Sequence, residues 1–396
     1  MAPTLTHLLT FALAGVAVPL SCTVAQMPAP PKVSEDAVPH EIVVTAEPLS
    51  KLQRELDTCL ARHCAPKEDI DRSLAYAEGQ FVAGDYYGSR QTLLAARRRN
   101  ARFAAELPVE VSSLHRANAR LAGLNGASDQ ERIDTFDMVG ALKAGLDRRD
   151  AKVMLARMEV GDLEARQGRP DNALDTYHRI AAQAHRANLP AVEAFALFRK
   201  AALLSAVAQS NASYRSSARE AIAEVERSTD PAFAPFRNGA RLIALRMLPA
   251  KKQAAAAGAI LATIEPVDTV RPLLAYAPPI ETDSMTVTSD GSDNSEWADV
   301  AYTITSDGLV SDVHPVRTSA RLNDRWLAIA LKALRERRYV PVKTKTMIGF
   351  PRVVRLSFVN DMVNTKGTRI VVRSGQTRVL EIDMTVYPNE KAGSIY

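Results

Sequence analysis

Cys59 and Cys64 stand five residues apart, with His63 between them. Two thiols at this separation can close a disulfide across a helix end or supply two ligands of a metal site. The spacing is not the Cys-x-x-Cys of a catalytic redox pair. Two thiols and one imidazole without a fourth donor nearby make a weak zinc set. A disulfide is therefore expected if the chain reaches an oxidising compartment. His115, His178 and His185 fall in helical segments, and His178 and His185 could share a helix face. No third ligand stands near them in sequence, so they read as packed or solvated histidines. The chain lacks a Gly-Lys-Ser/Thr phosphate loop, a His-Glu-x-x-His pair and a Gly-x-Ser-x-Gly elbow. Asp and Glu are dispersed as on helix surfaces. No catalytic residue, no metal site and no cofactor is expected; the chemistry on offer is recognition.

The elements that would support recognition are legible near the C-terminus. Ala298, Val300, Tyr302 and Ile304 alternate with Asp299, Ala301, Thr303 and Thr305, the period of a half-buried strand. Asp307-Gly308 predicts a type I′ hairpin turn, because glycine takes positive φ without steric cost. Leu309, Ser311 and Val313 continue the alternation, and Pro315 marks an edge or exit. A helix is expected next, N-capped by Thr318 or Ser319. Leu322, Trp326, Ile329 and Ala333 recur at helical spacing, with Leu327, Ala330, Leu331 and Leu334 widening the stripe. Arg335, Arg337 and Arg338 suit the negative end of the helix dipole, and Pro341 is expected to stop the helix. Arg352–Val359 reads as a further strand. The order places one helix on a small antiparallel sheet.

The run Val300-x-Tyr302-x-Ile304-x-x-Asp307-Gly308-x-Val310-x-Asp312-Val313 is followed by Arg317-Thr318-Ser319, by Trp326, Ala330, Leu331 and Ala333, and by the exit Arg337-Arg338-Tyr339-x-Pro341. Together these residues resemble the C-terminal domain of TonB and its relatives, the periplasmic ends of bacterial energy transducers. The resemblance implies a domain that catalyses nothing. It would capture a segment of an outer-membrane receptor, the TonB box, by adding it as a strand to a sheet edge. The edge candidates are Arg352–Phe358 and Thr368–Arg373, with Arg352, Val354, Leu356, Phe358, Ile370 and Val372 as partner-binding residues. Glu41-Ile42-Val43-Val44-Thr45-Ala46 itself resembles a TonB box, a β-branched run able to join a strand edge. A short strand packed on the chain's own helices, or a linker, is the alternative. Residues 368–373 and 378–386 extend beyond the shared unit. They widen the sheet or cap its free edge, and a capped edge would weaken capture.

Residues 67–263 are helical in pattern. Gly84-Asp85-Tyr86, Gly126-Ala127-Ser128 and Gly168-Arg169-Pro170 begin 42 residues apart, and Ser210-Asn211-Ala212 continues the count. Small residues precede the glycines by seven: Ala77, Ala119 and Gly161. The unit Ala156–Ala187, with Gly168, Ala173, Tyr177 and Ala181, resembles a tetratricopeptide repeat. That resemblance implies stacked helix pairs, each burying its stripe on its neighbours. Tyr86, Tyr87, Tyr177 and Tyr214 read as packing residues. The fold class expected is an α-helical, tetratricopeptide-like solenoid followed by a small α+β domain like that of TonB. Its divisions are a signal peptide (1–25), a lead-in (26–50), the repeats (51–265), a linker (266–295), the α+β domain (296–360) and additional strands (361–396).

The chain has 396 residues, 46% of them hydrophobic, enough for two or three packed domains. The net charge of +5 is scattered. Arg97-Arg98-Arg99 reads as a solvated helix face, so nucleic acid is not an expected partner. Leu8–Leu20 is shorter than the about 20 apolar residues of a spanning helix and suits a signal peptide cleaved after Ala25, with a lipid anchor at Cys22 or an uncleaved anchor as alternatives. The periplasm is the expected location, with inner-membrane association if an anchor survives. Three readings follow. The first is an adaptor that binds a receptor, another periplasmic segment or a second copy of itself by strand addition. The second is a membrane-anchored transducer. It lacks the polar Ser-x-x-x-His spacing in its apolar segment and the Pro/Lys/Glu-rich spacer that energy transducers carry. The third is a scaffold in which the α+β unit is only structural.

Overall fold

The computed structural model describes residues 47–248, 295–339, 349–364 and 371–385, with Pro341 and, between 252 and 280, the runs 262–264 and 274–278 and a few further positions. The expected signal peptide, the Glu41–Ala46 run and the Ser/Asp-rich part of the linker lie outside the described residues. The chain is mostly helical, with a small antiparallel sheet near its C-terminus.

The helices are α1 (Leu49–Ala61), α2 (Pro66–Val82), α3 (Tyr86–Asn100), α4 (Pro108–Leu124), α5 (Ser128–Gly145), α6 (Ala151–Arg166), α7 (Pro170–Arg186), α8 (Pro190–Ser210), α9 (Arg215–Arg227) and α10 (Ala234–Arg246). Four of them begin on proline, whose missing N–H has no intrahelical acceptor at that position. Each helix packs on the next in the chain. The 42-residue interval marks one recurring turn. Gly84, Gly126 and Gly168 have φ of +88°, +70° and +76°. The following amides, Asp85, Ala127 and Arg169, donate back to Gln80, Ala122 and Glu164 carbonyls at 2.9, 2.8 and 2.9 Å. This is the Schellman closure of a helix C-terminus. The count breaks at its fourth member: Asn211 is extended and opens a 3-10 turn, whereas Asn188, at φ +54°, caps α7 in the glycine manner. Gly161 lies where a Cβ would sit 2.8 Å from the Tyr177 ring, so its smallness sets the α6–α7 approach.

The C-terminal unit comprises β1 (Leu274–Tyr276), β2 (Ser295–Ile304), β3 (Val310–Thr318), α11 (Asp324–Arg335), β4 (Arg338–Tyr339), β5 (Phe350–Asn364) and β6 (Val371–Asp383). The main sheet has the order β3-β2-β5-β6, all antiparallel, and β1 pairs with β4. Ala298, Val300, Tyr302 and Ile304 form one core with Trp326, Leu327, Ala330 and Leu334 of α11, as the alternation requires. Three local expectations are corrected. The turn after β2 is a wider loop, in which Gly308 N donates to Thr305 O and Thr305 N to Leu309 O, both at 2.9 Å. Helix α11 starts later than expected, because the Asn323 side chain accepts from Arg325 N and supplies the cap. The helix also ends before Pro341, because Arg338 and Tyr339 leave it to pair as β4.

The sheet's other face is covered as well. Trp297 and Met384, with Val353, Leu380 and Ile382, pack into the core of α2, α3 and α4. Gly84 sits at this contact, where a Cβ would lie 2.8 Å from Trp297 Cζ2. Gly84→Ala is expected to cost about 1–2 kcal/mol for the left-handed backbone alone, plus the cost of displacing the indole. Urea denaturation of Gly84→Ala, Trp297→Ala and the double variant should show a coupling of about 0.5–3 kcal/mol; strict additivity would refute the contact.

Candidate functional site

Strand β5 was expected to offer an open edge. It lies instead in the sheet interior. Arg352–Phe358 pairs with β2 from Tyr302 to Glu296 on one side, and Val354–Val359 pairs with β6 from Asp383 to Arg378 on the other. The amide of Met384 extends the cover by donating to Val353 O at 2.8 Å. Val354, Leu356 and Phe358 are buried in the core beneath α11, and Arg352 lies 3.3 Å from Asp383. Val372 occupies a ladder position opposite Val363; Ile370 lies outside the described residues. Of the two edge candidates, Arg352–Phe358 is thus filled on both sides by the chain itself, whereas Val371–Arg373, the described part of the second, lies on the outer strand β6. The sequence offers Lys366-Gly367 as a turn before the added strands, but it does not show on which edge of the sheet they lie.

The sheet's outer edges are β3 and β6. The β3 edge is irregular. Its register with β2 shifts twice, Asp312 adopts φ +55°, Pro315 removes a donor, and Arg335 binds Val313 O at 3.2 Å. The β6 segment Arg378–Asp383 is regularly paired with β5 and has no partner on its other side among the described strands.

Between sheet and helices lies a charged row. Asp299 of β2 is directly opposite Arg317 of β3 and Arg355 of β5. Its carboxylate accepts from Arg355 at 2.6 and 3.0 Å and from Arg317 at 3.0 and 2.6 Å. Arg355 is fully buried. Its guanidinium also donates to Phe81 O and, at 2.8 Å, to Val82 O. These carbonyls belong to the last turn of α2, where the helix dipole favours a cation. The guanidinium lies 3.9 Å from the Trp297 ring centroid and 5.0 Å from that of Phe81. Burial works against its charge, but the bonds to Asp299 outweigh that and hold its pKa above the ordinary arginine value. Tyr86 Oη comes within 3.4 Å of Ser357 Oγ, and burial raises its pKa. On the opposite face Arg337 grips Glu381 of β6 through both nitrogens, and Tyr302 and Tyr339 hydroxyls meet at 2.8 Å. Glu296 accepts from Trp326 Nε1 at 2.9 Å and from Asn323 N at 2.7 Å.

The cysteines meet as expected: Cys59 and Cys64 are at disulfide distance, Cα atoms 5.1 Å apart, at the end of α1. His63 adopts φ +52° there, and Cys64 N donates to Cys59 O. His178 is exposed, and His185 lies 3.1 Å from Glu193. His115 differs: it is buried, and burial lowers its pKa. Tyr86 and Tyr177 are buried packing residues, and Tyr177 also donates to Asp162 at 2.6 Å; Tyr87 is exposed. A cleft of about 800 Å³ opens between the α7–α8 turn, α8 and α9, with Leu197, Leu204 and Phe233 beside Glu193, Lys200 and Glu224. No helix among the described residues is long and apolar enough to cross a membrane. Compared with known proteins, the chain matches no family model, no curated protein and no solved structure.

Two outcomes test the charged row and its surroundings. Arg355→Met should cost about 3–5 kcal/mol in chemical denaturation, because it strips a buried carboxylate of a partner. Arg355→Lys should recover little, since an ammonium cannot bond two carboxylate oxygens and two carbonyls in one plane; a loss under about 1 kcal/mol would contradict the geometry. Glu78, one turn before Val82, has its carboxyl raised to about 7 by burial. Its folded pKa exceeds the unfolded one, so its contribution to stability is full below pH 4.5 and is lost as pH rises through about 7. Glu78→Gln should therefore raise the Tm at pH 8 and leave it nearly unchanged at pH 4; equal effects at both would refute the burial.

Proposed function

We propose that the protein is a non-enzymatic, periplasmic scaffold: a tetratricopeptide-like array of helix pairs carrying a TonB-like unit that is structural. The observation that carries this reading is the placement of β5, paired on both sides within a sheet covered on both faces. A domain built to capture a strand on β5 would leave that ladder open. The TonB-like motif residues have structural partners. Gly308 admits the backbone of β4, with Tyr339 N donating to Gly308 O at 2.8 Å, and a Cβ there would strike Tyr339 O. Arg337 binds Glu381, and Tyr339 binds Tyr302. The motif thus reads as the closure of this small fold. Partners would dock on the helical array, where the cleft beside α8 mixes an apolar floor with acidic and basic rims.

A second reading rests on the unpaired outer side of β6. There the chain would add a receptor's TonB box, another periplasmic segment or a run like Glu41–Ala46 from a second copy, and so support TonB-dependent transport. Titration of the isotopically labelled chain with a peptide spanning Glu41–Ala46, and separately with a receptor TonB-box peptide, separates the two. The scaffold reading expects no saturable amide shifts in Arg352–Phe358 or Val379–Asp383. Saturable shifts along β6, abolished by Leu380→Pro in a folded protein, would replace it with the strand-adding adaptor.

A further inference from the structure

Helices α4 and α5 bring together three donors that are far apart in sequence. His115 of α4 is 7% exposed, and its Nδ1 is buried without a hydrogen-bond partner. Asp137 Oδ2 of α5 lies 3.9 Å from it. Asp134, one helical turn from Asp137, completes a set in which one nitrogen and two carboxylate oxygens all lie within 4.8 Å of one another. Asp134 is itself buried and held in place: Gln130 Nε2 donates to it at 2.9 Å and Arg97 pairs with its other oxygen. A buried polar atom without a partner is uncommon in a folded protein. Here the orphan is an imidazole nitrogen facing two carboxylates.

We propose that His115, Asp134 and Asp137 bind a divalent transition-metal ion, with zinc the ion their donors suit best. One imidazole and two carboxylates are three ligands of a tetrahedral site, the fourth position being left to water. Zinc–ligand bonds of about 2.0–2.2 Å require the three donors to draw closer than they stand. Asp137 is half-exposed and free to make that adjustment. Gln130 and Arg97 provide the hydrogen bonds to a ligating carboxylate that orient it. Asp134 is paired with Arg97, and Asp137 adds a second carboxylate facing the ion. A bound ion would tie α4 to α5 at a point where their contact otherwise leaves a polar atom unmet.

The test uses the full chain, tag removed and stripped with chelator, titrated with zinc by calorimetry and by competition with a chromophoric indicator. One zinc per chain is expected, together with a rise in Tm on zinc addition. His115→Gln and Asp137→Asn should each weaken binding at least tenfold and abolish the zinc-dependent rise, while His185→Gln changes neither. Asp137 is half-exposed, so its variant keeps the fold and isolates the ligand. Absence of stoichiometric zinc, or binding unchanged in Asp137→Asn, overturns the proposal. The latter result would leave His115 and Asp137 as an ion pair formed only when the imidazole is protonated.

Discussion

Asp299 is a carboxylate in the centre of a sheet with its side chain 1% exposed, and everything around it is arranged so that it can be charged. Arg355 and Arg317 flank it across the strands. Arg317 reaches water, so part of its charge is screened there. Arg355 does not, and its second set of N–H groups must find acceptors. The last carbonyls of α2 are those acceptors, and the Trp297 and Phe81 rings cover the guanidinium plane. A buried ion pair contributes little net stability against apolar residues of the same shape. Its directional bonds confine where α2 can end relative to β5. The apolar surface of Trp297, Val353, Leu380, Ile382 and Met384 drives the sheet onto the helices; the charged row fixes the registry.

The same junction reuses the glycine closure found at three helix ends. A helix closed by glycine ends abruptly, exposing its last carbonyls over a residue with no Cβ. After α2, those carbonyls accept from Arg355 while the bare Gly84 accommodates the indole of Trp297. The turn that reverses the chain at Gly126 and Gly168 serves at Gly84 also as a seat for the C-terminal unit.

Much of this was legible locally. Alternation from Ala298 to Ile304 assigned the core under α11, the helical stripe from Trp326 to Leu334 gave its complement, and the 42-residue glycine interval located three helix turns. What failed was non-local. Asp299 and Ala301 read as the wet face of a half-buried strand, yet both are buried, and Asp299 sits beneath Arg355, which bonds to the end of α2 some two hundred residues upstream. No window on β2 carries that information. Arg352–Phe358 read as an edge because nothing in its own composition announces a neighbour on the far side. His115 read as a lone histidine because its carboxylates stand about five helical turns away in sequence and become neighbours only when α4 and α5 fold back on each other. The cap of α11 was ambiguous for the same reason: Ser319 and Asn323 are both competent caps, and Asn323 N and Trp326 Nε1, which donate to Glu296 some thirty residues upstream, select the second.

A sheet held this way has few freedoms left. Motion of β5 away from β2 would break the row at Asp299. Motion of the whole unit away from α2 would leave Arg355 to exchange carbonyls and ring faces for water and would expose the Trp297 side of the core. Motion of β6 is restrained by Arg337 at Glu381 and by Leu380 and Ile382 against the helices. A strand-capturing domain that must hand its ligand on gains from an edge and faces that can yield. The proposed scaffold gains from the opposite, a C-terminal unit held rigidly on α2, α3 and α4. The interlocking of β2, β5 and α2 through one carboxylate fits the second role, and among the described residues it leaves the outer side of the Arg378–Asp383 segment as the regular free ladder of the main sheet.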